Sequence, residues 1–79
     1  MIEAYDIIAR RDQIMNILSQ LESLENDLGY YAWIEDSIAD ELAHAKEVVR
    51  NAINGLTPAL LPLHSAQVKL YSKSRQIIE

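Results

Sequence analysis

Ile7, Ile14, Leu21 and Leu28 recur every seven residues, and an α-helix is the regular structure that stacks such positions on one side. Ile17, Leu18 and Leu24 fill the same side, and Ile8 and Met15 widen it in the first half. A stripe that broad suits a helix touching more than one neighbour. The row predicts a first helix from about Ile2 to Leu28. Asn26, Asp27 and Leu28 then lead into Gly29, a residue suited to the left-handed cap that ends helices, so the helix is expected to stop there.

A second stripe, Tyr31, Ile34, Ile38, Leu42, Ala45, Val49 and Ala52 or Ile53, predicts a helix from Tyr30 to about Asn54. Its phase is rotated by about 100° from the first when both are drawn on one spiral. One straight helix cannot bury both on one side. The reading is an antiparallel turn at Gly29, with a single long helix of rotating face as the alternative.

Asn54-Gly55-Leu56-Thr57-Pro58 reads as a stop followed by a start: Gly55 as C-cap, Thr57 as N-cap, Pro58 at the first helical position. Leu56 and Leu61 are spaced for a hydrophobic staple. Pro62 lacks an N–H and predicts a kink. A third helix follows from Pro62 to Ile77, with Leu63, Ala66, Leu70 and Ile77 inward. At 1.5 Å per residue the first two helices reach about 40 Å and the third about 25 Å, which leaves an apolar strip uncovered. The expected fold is all-α, a three-helix antiparallel bundle comprising a long hairpin and a shorter, kinked third helix in one domain spanning residues 1–79.

Such a chain of 79 residues buries only about 60% of its unfolded surface. Small domains usually add disulfides, metals or oligomerisation. With no cysteine the first is excluded, and self-association is expected. The apolar runs fall far short of the roughly 20 residues needed to cross a bilayer. Met1-Ile2-Glu3-Ala4-Tyr5-Asp6 is acidic where a secretory leader is basic, so a cytoplasmic location is expected, with no membrane partner.

Charge is unevenly placed. From Glu22 to Glu47 the chain carries eight acids and one base, Lys46, a net of −7; from Val48 onward Arg50, Lys69, Lys73 and Arg75 face only Glu79, a net of +3. Asp36, Asp40, His44 and Glu47 form one outward row on the second helix as read here. Its plainer interpretation is a solvated face whose early acids suit a helix N-terminus. The functional one is a docking surface for a protein with a basic surface. Trp33 projects toward that polar side with Tyr30 adjacent, and an aromatic anchor rimmed by acids has the composition of an interface centre. Packing of Trp33 against another helix is the competing reading. The candidate partner-binding set is Tyr30, Trp33, Asp36, Asp40 and Glu47.

Other chemistry fails on composition. Glu41-Leu42-Ala43-His44 has the Glu-x-x-His spacing of di-iron bundles, but those need two copies and two further glutamates directed inward, and His44 faces away from the stripe. His64 is unaccompanied. Two glycines, Gly29 and Gly55, make no phosphate loop, and no serine has a histidine and carboxylate in recognisable order. No catalytic, cofactor or metal site is expected. The functional expectation is a small acidic non-catalytic protein-binding module acting through a helical surface: an inhibitor, adaptor, immunity or antitoxin-like partner, or co-chaperone. The alternative is a nucleic-acid-associated regulator using Lys69, Lys73 and Arg75, against the net charge of −5.

Overall fold

The computed structural model describes residues 1–78, the last five as helical backbone alone. It is a long helical hairpin. Helix α1 spans Ala4–Ile34, α2 spans Ala39–Leu56 and α3 spans Leu60–Ile78; short 3-10 turns at Asp36–Ile38 and Thr57–Ala59 join them. No strand occurs among the described residues. The molecule measures 66 × 16 × 15 Å, with a radius of gyration of 18.6 Å, whereas a compact chain of this length has about 12 Å.

The expected bundle is therefore replaced by two arms. α1 is one, and it packs against both α2 and α3. α2 and α3 together form the other, because Leu56, Thr57 and Leu60 all keep right-handed helical angles and the chain never reverses between them. Pro58 and Pro62 lack the N–H groups that would bond the carbonyls four residues back. The segment responds by tightening: the Leu60 N–H bonds the Thr57 carbonyl in 3-10 fashion. Thr57 is not an N-cap; its hydroxyl donates to the Ile53 carbonyl at 2.7 Å, the back-bond of a residue inside a helix. Gly55 is not a C-cap, since it lies within α2 with no positive φ. The staple does not form either, as Leu61 is 73% exposed. The side chain of Ile77, expected inward, lies outside the described residues.

The reversal comes later than Gly29. α1 runs on to Ile34, so Tyr30, Tyr31, Trp33 and Ile34 belong to the first arm and α2 begins at Ala39. Glu35 leaves the helix with extended angles, φ −134 and ψ 96, while its N–H still bonds the Tyr31 carbonyl at 3.0 Å. The Ser37 hydroxyl donates to the Glu35 carboxylate at 2.8 Å. Asp36, Asp40 and Glu41 then lie in the first turns of the second arm, where carboxylates complement the helix dipole. Gly29 has a different use. A Cβ there would come 3.2 Å from Lys46 Nζ, so the glycine makes room for a lysine crossing from the other arm.

The seam between the arms repeats every seven residues. On α1 the seam holds the half-buried Ala4, Ile7, Arg11, Ile14, Leu18, Leu21, Leu28 and Ala32 with the buried Glu25 among them, and Asp6, Ile8 and Gly29 are half-buried beside it. On the other arm the seam holds Leu42, Val49, Leu56, Leu60, Leu63, Gln67 and Leu70, with Ile53 buried to 5%, and Ala39, Ala45, Ala59 and Ala66 are half-buried beside it. Alternating steps of three and four residues are the a and d positions of a coiled coil. Cross-arm contacts of Glu25 with Arg50 and Gly29 with Lys46 are centred on the Asp36–Ile38 turn, and that of Arg11 with Gln67 on Ala39 just after it. That register sets Leu21 opposite Ile53. With a single seam and no third layer, Ile53 is the one buried apolar residue among those described.

Candidate functional site

At the closed end of the hairpin the last turns of α1 carry three aromatic rings on the surface. Trp33 is 78% exposed and Tyr30 58%. Their ring centroids stand 6.3 Å apart at an interplanar angle of 35°, and Tyr30 is 6.1 Å from Tyr31 at 55°, within the range of favourable aromatic pairing. The seam explains their direction. Leu28 and Ala32 face the second arm, so Tyr30 and Trp33 occupy outward positions of the same repeat. The local resolution of the competing reading is that Trp33 packs under no other helix.

The turn at Glu35 divides the helix expected from Tyr30 to Asn54, so the candidate partner-binding set lies on two helices and the turn between them. Tyr30 and Trp33 sit together on the outward face of α1. Asp36 lies in the turn, and Asp40 and Glu47 lie on the outward face of α2 with His44 between them, all exposed. The site at the tip is thus an aromatic cluster with Asp36 beside it in the chain, and Asp40 and Glu47 are exposed on the second arm. Glu41 and His44 are likewise exposed on α2, and no three His, Asp or Glu side chains among the described residues gather as a metal-binding group.

The buried polar chemistry lies elsewhere. Glu25, 7% exposed, sits in the seam and receives both ends of the Arg50 guanidinium: Arg50 Nε donates to Oε2 at 2.6 Å, and a second nitrogen donates to Oε1. The hydrogen bonds from Arg50 hold the Glu25 carboxyl below its ordinary value of 4.5; desolvation opposes this, and the charges of Arg50 and Lys46 assist it. Farther along, Arg11 also occupies a seam position and donates to Gln67 at 3.0 Å, with Asp12 at 3.8 Å. Both contacts pin the register, because a one-turn slip would leave a charged group in the seam without its partner. Sequence reading missed Glu25. Its signal is the interval: it falls four residues after Leu21 and three before Leu28, inside the apolar row.

At the open end, an apolar groove of about 440 Å³ is lined by Met1, Ile2, Ala4, Tyr5, Leu70 and Tyr71, with Glu3 and Lys73 at its margin. No helix among the described residues is long and apolar enough to cross a membrane. Compared with known proteins, the chain matches no family model, no curated sequence and no solved structure.

Proposed function

We propose that the chain is a non-catalytic protein-binding module whose binding end is the hairpin tip. The observation that carries this reading is the exposure of Trp33, 78%, beside an equally outward Tyr30. Tryptophan and tyrosine are enriched among residues that dominate binding energy, since a rigid ring buries much area at small entropic cost. The partner that fits is a protein with an apolar pocket bordered by basic side chains, with Trp33 as anchor and Tyr30 as its wall. Asp36, in the turn, supplies the nearest negative rim. Asp40 and Glu47 contribute through the field of the acidic half, which favours encounter with a basic surface.

The test is affinity capture with the wild-type chain as bait and Trp33→Ala as control, followed by a binding titration with the protein that is lost. Trp33→Ala is expected to cost that complex about 2 kcal/mol or more, with its melting curve unchanged. Asp36→Lys with Asp40→Lys is expected mainly to slow association and flatten its salt dependence. Unaltered affinity in Trp33→Ala removes the tip from the interface.

A further inference from the structure

The two flanks of the hairpin differ. On one side of the seam, Ile8 and Met15 give way toward the tip to Glu22, which with Arg50 borders the buried ion pair, and to Gly29, which Lys46 passes. The other side is apolar: Ile17, Leu24 and Tyr31 follow one another at seven-residue intervals on α1, each exposed. Facing them across the groove, the second arm presents alanines at 45, 52, 59 and 66, side chains short enough to let another helix approach. An apolar face that adds one flank to the a and d seam is the pattern of a helix in a bundle, where a two-stranded coil needs the seam alone.

We infer that this flank is covered by a second copy of the same chain, packed antiparallel to form a four-helix bundle. Area is the first argument. The chain exposes 6186 Å², about 1,300 Å² more than a compact monomer of its mass, whereas a standard interface takes about 800 Å² from each partner.

Charge selects the occupant and its direction. On the same flank, Asp27 and Glu41 stand toward the tip, and Arg10, Lys69 and Lys73 outnumber Glu3 and Asp6 toward the open end; Asp27, Glu41, Arg10 and Lys69 are exposed and in no ion pair among the described residues. At 1.5 Å per residue, Asp27 is about 15 Å from the turn and Arg10 about 40 Å; Glu41 is about 6 Å and Lys69 about 48 Å. Each acid and its base together span about 55 Å, so one dyad near 27 Å from the tip brings both pairs into opposition. Leu24 and Ile17 flank that dyad, which places the apolar centre where the two-fold axis needs a self-complementary patch. A parallel pairing would bring Asp27 toward Glu41 at one end and Arg10 toward Lys69 at the other. Tyr30 and Trp33 point away from this flank, so the dimer carries one aromatic tip at each end, and the inference stands apart from the partner assigned to the tip.

Sedimentation equilibrium at low salt decides it. The wild-type chain is expected to be a dimer at micromolar concentration, and Leu24→Glu a helical monomer. Arg10→Glu with Lys69→Glu, and separately Asp27→Lys with Glu41→Lys, should each weaken the dimer at least about tenfold, while an equimolar mixture of the two variants restores it. Circular dichroism checks that each keeps its helix. A wild-type monomer, an assembly larger than a dimer, or charge variants that dimerise like the wild type would each overturn the inference.

Discussion

Ile53→Ala perturbs the one aliphatic side chain among those described from which the hairpin excludes water. The substitution removes three carbon groups from a residue 5% exposed; at about 0.8 kcal/mol for each, the transfer contribution is about 2.4 kcal/mol. The cavity contribution is small here, because a two-arm seam has solvent on both flanks and Leu21 can relax into the gap. A loss of about 2.5–3 kcal/mol is expected, near the low end for such truncations. Leu61→Ala is the matched control: Leu61 is 73% exposed, so its loss should stay within about 0.5 kcal/mol. Urea melts at one fixed protein concentration measure both, with the slope checked for constancy. If Ile53→Ala costs less than about 1 kcal/mol, or if Leu61→Ala costs as much, the second arm does not present the face described.

Gly55→Ala should stabilise the fold by roughly 0.5–1 kcal/mol, since Gly55 is helical and an added methyl group meets open space, whereas Gly29→Ala should gain less because Lys46 Nζ, 3.2 Å from the new methyl, must shift; destabilisation of Gly55→Ala in a melt would restore it as a cap. The Glu25 carboxyl titrates below its ordinary value of 4.5 in the folded chain, so the stability it contributes is complete above that pH and is lost as pH falls through the lowered value. Stability measured against pH should show that acid limb in the wild-type chain and a flatter one in Glu25→Gln; identical limbs would remove Glu25 from the linkage.

The helical class and the seven-residue row of α1 were legible because apolar spacing survives any tertiary context. So was the need for a reversal, from the phase shift between the two stripes. Its position was not. Gly29 is a strong punctuation residue, yet here its missing side chain serves Lys46, and the turn uses Glu35, Asp36 and Ser37, which carry no glycine or proline. A signal was present: Glu35 is the polar residue at the point where Ile7, Ile14, Leu21 and Leu28 would continue. The same rule identifies the second arm as continuous, because Leu42, Val49, Leu56, Leu63 and Leu70 keep one seven-residue phase straight through Thr57 and Pro58. Local cap signals there are real and are overridden by the gain from extending the seam along α1. The aromatic tip is legible from composition, whereas the turn at Glu35 sets Tyr30 and Trp33 on one arm and Asp40 and Glu47 on the other.

The central claim is that α2 and α3 form one straight arm, and a single distance tests it. The chain has no cysteine, so His44→Cys with Ser72→Cys takes two spin labels at exposed, outward positions of the second arm. Pulsed dipolar spectroscopy on the doubly labelled chain, diluted with unlabelled protein, should give about 42 Å along a continuous helix. A third helix folded back at Gly55 to Pro58 would instead bring the labels side by side, at about 10–15 Å, and that result would contradict the hairpin.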